Sequence, residues 1–261
     1  MKKYAYLSII LLIVSELLIF SGNTLPGLGL HLLNLLVIIF VVLFYNHDLK
    51  VYHVLQGLTL VVLLRVVGLS MPQFFTDTLI HYPLVYGVMF IPIYYVIKNQ
   101  QLSKEELGIS IIDEKCSPIL LLFKSKIISA VVLGVVVSFV EYKILHTESL
   151  ISTISLSNLL LLSIIMFMFI GLVEGLIFFS ILQTGLEKLI GMRYGLLMTG
   201  VLFGVMHSAY GMVDEVLYAT VFGIGLAYFF QNMKALPFIV VVLGTTNLMV
   251  YGILPLTGWF I

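Results

Sequence analysis

Charge is what this chain of 261 residues has least of. Its 13 Lys and Arg and 13 Asp and Glu make up 10% of the sequence, where a soluble domain carries about a quarter. That scarcity excludes an ordinary water-solvated surface. The formal net charge of zero excludes the basic face that nucleic-acid binding needs. A single cysteine, Cys116, excludes an internal disulfide framework and any Cys-x-x-Cys metal or redox site. No repeat of fixed period and no low-complexity tract is visible, so a duplicated transporter finds no support. What is present is apolar: 61% of the residues are hydrophobic, and mean hydropathy is +1.17. The chain reads as an all-α, polytopic membrane protein whose first partner is membrane lipid.

Apolar runs long enough to cross a hydrocarbon core of about 30 Å fall near residues 4–21, 28–45, 52–70, 80–97, 118–140, 156–182, 195–210, 214–230 and 236–256. Nine spans are expected, or eight if the first is peripheral. The start MKKYAYLSII resembles a signal peptide but lacks a small-residue cleavage site, and is read as a retained span. With the N-terminus in the cytoplasm, Lys2, Lys3, Lys50, Lys98, Lys104, Lys115, Lys124, Lys126, Lys188, Arg193 and Lys234 all fall inside. Lys143 falls outside and Arg65 within a span, a strong positive-inside asymmetry. The C-terminus is then expected outside, and the short, cysteine-poor chain suits a prokaryotic cell membrane. The polar stretch 98–117 divides about four N-terminal spans (1–97) from a core of about five (118–261).

Ionisable residues inside spans are costly and usually face a protein interior, where they serve a purpose. Glu174 in GLVEGLIFF and His207 in VLFGVMH are the leading pair, joined by Arg65 and Asn247. At about 1.5 Å of rise per residue, these four lie about 13–20 Å from the inner ends of their spans, a common layer. Gly171 and Gly175 bracket Glu174, and Gly200 and Gly204 precede His207. Such spacing permits close helix approach in lipid, either to bring the Glu and His spans together or for packing alone. A carboxylate so placed can take a proton from water, and an imidazole can orient that water or stabilise an oxyanion. A proton relay and a structural hydrogen bond remain alternatives. His31, His47, His53, His81 and His146 fall at span ends or loops and are expected to be interfacial. Asp214 and Glu215 read as a solvated turn.

These elements resemble the CPBP family of intramembrane proteases (CAAX protease and bacteriocin-processing, or Abi). That family's first motif is EExxxR, its second is FxxxH, and a later one pairs His with Asn four residues on. Here Glu174 opens EGLIFFS, Phe203 and His207 give FGVMH thirty-three residues later, and Asn247 ends the segment 220–247. LSKEELGIS (102–110) resembles the leader that often precedes the family's core. The departures are as specific. Gly175 stands where the family has a second glutamate, Phe179 where it has arginine, and Leu243 or Val242 where it has the later histidine.

The resemblance implies a membrane endopeptidase acting on membrane-associated peptides or proteins, such as prenylated CAAX proteins, bacteriocin leaders or pheromones. Glu174 would be the general base, His207 would orient water and stabilise the oxyanion, and Asn247 would bind the intermediate. Phe203 would support the site, and Arg65 would either replace the missing arginine beside Glu174 or pair elsewhere. A divalent metal such as zinc normally takes three protein ligands, and Glu174 and His207 are the only candidates. The same departures leave two other readings open: a catalytically inactive scaffold or binding protein of this fold, and a small transporter. An intramembrane polar cavity is expected under the first two.

Overall fold

The computed structural model describes residues 2–44, 48–71, 78–109 and 118–257, with side chains from residue 126 in the segment that begins at 118. Cys116, His47, Asp77 and Lys115 lie outside the described residues. Among the described residues nine long helices follow one another: α1 (Lys2–Phe20), α2 (Thr24–Phe44), α3 (Leu49–Ser70), α4 (His81–Gln100), α5 (Pro118–Leu145), α6 (Leu156–Ile190), α7 (Met192–Val205), α8 (Val213–Met233) and α9 (Leu236–Thr257). Seven are long and apolar enough to cross a membrane; α4 and α7 are not among them. The 14-residue α7 reaches only about 21 Å. The protein is an integral, multi-pass membrane protein.

Local chemistry sets the helix ends. The Asp48 carboxylate accepts the Lys50 N–H at 3.1 Å and starts α3; Ser155 accepts the Asn158 N–H at 3.2 Å and starts α6. Each satisfies a backbone donor that the first turn leaves without a partner. Gly211 takes φ +67 between α7 and α8, a conformation that favours glycine. The segment 102–109 folds back on the N-terminal end of α9. The Leu236 N–H donates to the Gly108 carbonyl (2.9 Å), Ser180 Oγ to the Leu107 carbonyl (2.9 Å) and Lys188 Nζ to Glu106 (2.5 Å). Partial burial raises the Glu106 pKa, but Lys188 and the Ser103 N–H together hold it below the ordinary carboxylate value. That contribution to stability is therefore present near neutral pH and fades as pH falls through the acid range.

One apolar core runs through both halves of the chain, with α3 Val54, Leu58 and Val61 buried beside α6 Ile177, Ile181 and Leu182. The small-residue pairs make close helix contacts, but not between the Glu174 and His207 helices. A Cβ on Gly171 would lie 2.8 Å from the Val240 carbonyl, so this face of α6 packs on α9. A Cβ on Gly200 would lie 2.6 Å from Ile224 N, and one on Gly204 2.6 Å from Thr220 Cα, so α7 packs on α8. The spacing announces a close approach without naming the helix approached. Because backbone blocks both α7 positions, Gly204→Val is expected to destabilise the protein by about 1–3 kcal/mol or more. Thermal melting in detergent measures it, and an unchanged melting temperature would refute this packing.

Candidate active site

Polar side chains from seven elements converge on a cavity of about 600 Å³. Glu174, His207 and Asn247 all line it, with Phe203, Arg65 and Leu243. α6 reaches it through an unusual backbone. Two π-helical stretches, Ile165–Gly171 and Gly175–Gln183, flank the α-helical turn that carries Glu174. The Leu172 N–H donates to the Phe167 carbonyl, five residues back. Wider turns keep residues four apart in one line, so Ile170, Glu174 and Phe178 all face the cavity. Such π segments are rare and cluster at functional sites.

The three residues face one space, but each is anchored by a different partner. Tyr86 Oη, from α4, donates to Glu174 Oε1 at 2.9 Å. Asn247 Nδ2 donates to the Leu243 carbonyl at 2.9 Å, leaving a second N–H on the same nitrogen. His207 Nδ1 lies 3.0 Å from the Phe203 carbonyl. A carbonyl only accepts, so Nδ1 carries the proton and Nε2 is the acceptor of the neutral ring. The Phe203 ring packs at a tilt 5.0 Å from His207 and is itself met edge-on by Phe178 at 5.2 Å. Among the described residues no hydrogen bond links Glu174, His207 and Asn247 directly. Leu243, where the resemblance places a second histidine, presents only an apolar side chain.

His207 does not sit within a continuous span. α7 ends at Val205, and His207 follows in the turn, just before the short 3-10 helix Ser208–Tyr210. Non-helical backbone survives at membrane depth where protein or a cavity surrounds it, and the neighbours of His207 show how. Arg65 Nη2 donates to the Met206 carbonyl, one of the groups orphaned at the end of α7. Arg65 also donates to Glu16 from Nε (2.7 Å) and Nη2 (2.9 Å). It therefore pairs with Glu16 and not with Glu174. Ser208 Oγ donates to the same carboxylate, and His31 Nε2 lies 3.0 Å from it.

Several expectations are corrected here. His31 is not interfacial: it is fully buried with Glu16, because α2 begins at Thr24 and carries His31 into the core. Asp214 is exposed, but Glu215 is 0% exposed, and among the described residues neither carboxylate oxygen has a hydrogen-bond partner. Glu141 also lines the cavity, its carboxylate accepting from Tyr218 at 3.3 Å. Glu16 carried a readable signal, an acid inside the apolar run VSELLIF. Tyr86 carried none, since tyrosines are common at span ends. Among the described residues no three His, Cys, Asp or Glu side chains are grouped to hold a metal, so the donor set does not fit a three-ligand zinc centre.

Residues 156–249 match the family model described as type II CAAX prenyl endopeptidase Rce1-like. No curated protein matches the chain, and no solved structure does. The matched segment holds Glu174, Phe203, His207 and Asn247, whereas Glu16, His31, Arg65, Tyr86 and Glu141 lie before it. The buried pair makes its own prediction. Arg65→Met leaves the Glu16 carboxylate without its cation and should destabilise the protein by about 3–5 kcal/mol. Arg65→Met combined with Glu16→Gln should recover much of that loss. Unfolding in detergent micelles measures both, and strictly additive losses would contradict the pairing.

Proposed function

We propose that this chain, whose residues 156–249 match the model of the type II CAAX prenyl endopeptidase Rce1-like family, is an intramembrane endopeptidase with a reduced set of catalytic groups. At the level of the family the activity is that of a CAAX-protease-like membrane endopeptidase. The observation that carries the finer reading is the convergence of Glu174, His207 and Asn247, from three separate segments, on one polar cavity.

In this account water in the cavity gives a proton to Glu174 as its oxygen attacks the scissile carbonyl carbon. His207 Nε2 accepts the water's other hydrogen as a bond and so orients it. The second N–H of Asn247 points charge at the developing oxyanion. Collapse breaks the C–N bond, and Glu174 returns its proton to the leaving amine. Tyr86 fixes the Glu174 rotamer throughout. No step passes through a metal, in keeping with the donor set. With the N-terminus in the cytoplasm, the cavity lies in the outer half of the membrane, between the end of α3 and the start of α4. Its substrate is a membrane-associated peptide or protein, and the aromatic rings of Tyr82, Phe178 and Phe222 suit an apolar one.

The second reading, a catalytically inactive relative, is favoured by one observation: Leu243 fills the position of the later histidine. Two quenched fluorogenic probes in lipid nanodiscs separate the readings, one ending in a farnesylated Cys-aliphatic-aliphatic-X sequence and one an unprenylated hydrophobic leader peptide. Cleavage of either, reduced about 100-fold or more by Glu174→Gln, is expected for loss of a general base. Equal turnover by wild type and variant would remove Glu174 from the mechanism. Full cellular function of Glu174→Gln at normal abundance would establish the inactive relative.

A further inference from the structure

We infer that Glu16 and Arg65, on N-terminal helices outside the family-matched segment, act with Ser208 as a positioning device for His207. Its functional consequence rests on the endopeptidase reading. The two residues flanking His207 are each tied to the same carboxylate. Ser208 Oγ donates to Glu16 Oε2 directly. Met206 is tied through Arg65, whose Nη2 donates both to the Met206 carbonyl and to Glu16 Oε2 at 2.9 Å. The imidazole between them makes one anchoring bond of its own, to the Phe203 carbonyl.

The arrangement is over-determined in the way that holding a loop requires. Glu16 and His31 are 0% exposed, and Ser208 is 3% exposed. Glu16 takes donors from three other segments: α2 through His31, α3 through Arg65 and the α7–α8 turn through Ser208. A buried carboxylate with so many charge-assisted bonds cannot shift without stranding its partners. After α7 the backbone continues only as a short 3-10 turn, Ser208–Tyr210, so side-chain ties on both sides of His207 add to what its few backbone bonds can hold. The N-terminal helices thus set where the imidazole sits, through Glu16 on α1 and through Arg65 on α3, which also lines the cavity.

Ser208 gives the cleanest test, because removing its hydroxyl leaves the Glu16–Arg65 ion pair in place. Turnover of the fluorogenic probes and carbethoxylation of His207 by diethyl pyrocarbonate, followed by peptide mass spectrometry, are measured on the same nanodisc preparations. Ser208→Ala should lower kcat about ten-fold with KM within about two-fold, as expected for loss of a bond to a charged group that aligns a reacting residue. His207 labelling should change several-fold in the same variant. Ser208→Thr, which keeps the hydroxyl, should restore both. Arg65→Lys, which keeps the charge but not the fork, should reproduce the labelling change while the protein still melts cooperatively. Wild-type labelling in both Ser208→Ala and Arg65→Lys would overturn the inference. So would loss of kcat in Ser208→Thr equal to that in Ser208→Ala. Absence of turnover in wild type would remove the endopeptidase reading alone, and the labelling ratios would still decide the positioning.

Discussion

A carboxylate buried in an apolar solvent must find its counter-charge and its donors inside the protein, because lipid offers neither. Glu16 meets that constraint with Arg65, His31 and Ser208, and much of the architecture follows. α1 is held inside the bundle as an integral helix. α2 and α3 are placed so that His31 and Arg65 reach one point. The end of α7, which would otherwise expose unpaired carbonyls within the membrane, is closed by the Arg65 bond to Met206.

The cavity is the complementary half of the same problem. Close contacts at Gly171 on α6 and at Gly200 and Gly204 on α7 fasten these helices to α9 and α8. That leaves the face between them open. The π-helical stretches of α6 then line up Ile170, Glu174 and Phe178 along that opening. α9 relaxes in the same manner at Met249–Ile253, and the 147–150 loop answers the freed carbonyls. Thr147 Oγ1 donates to Val250, the Leu150 N–H to Tyr251 and Ser149 Oγ to Gly252. Polar groups are anchored along the cavity wall, and its middle stays open.

The sequence showed nine apolar runs while leaving eight or nine spans open; among the described residues nine long helices stand there, seven of them long and apolar enough to cross a membrane. It also made plain that Glu174, His207, Asn247 and Arg65 are polar residues in apolar surroundings. Their partners were not legible. A glycine pair says that a backbone comes close, but α6 chose α9, and α7 chose α8. Misplaced helix ends hid the rest: His31 reads as interfacial if α2 starts at residue 28, and Glu141 lies outside its span if α5 stops at 140. Both helices run further. The reverse holds for His207, because α7 stops five residues short of the expected end. Arg65 could have answered Glu174 or another acid, and only the fold shows that Glu16 is nearer.

On the endopeptidase reading, Glu174, His207 and Asn247 share one water-accessible cavity within the membrane. Substituted-cysteine accessibility tests it most directly, in protein whose Cys116 has been replaced by alanine. Single cysteines at positions 174, 207 and 247 should react with a water-soluble methanethiosulfonate reagent, and a cysteine at the lipid-facing position 161 should not. Reaction at all three that is no faster than at 161 would contradict the account.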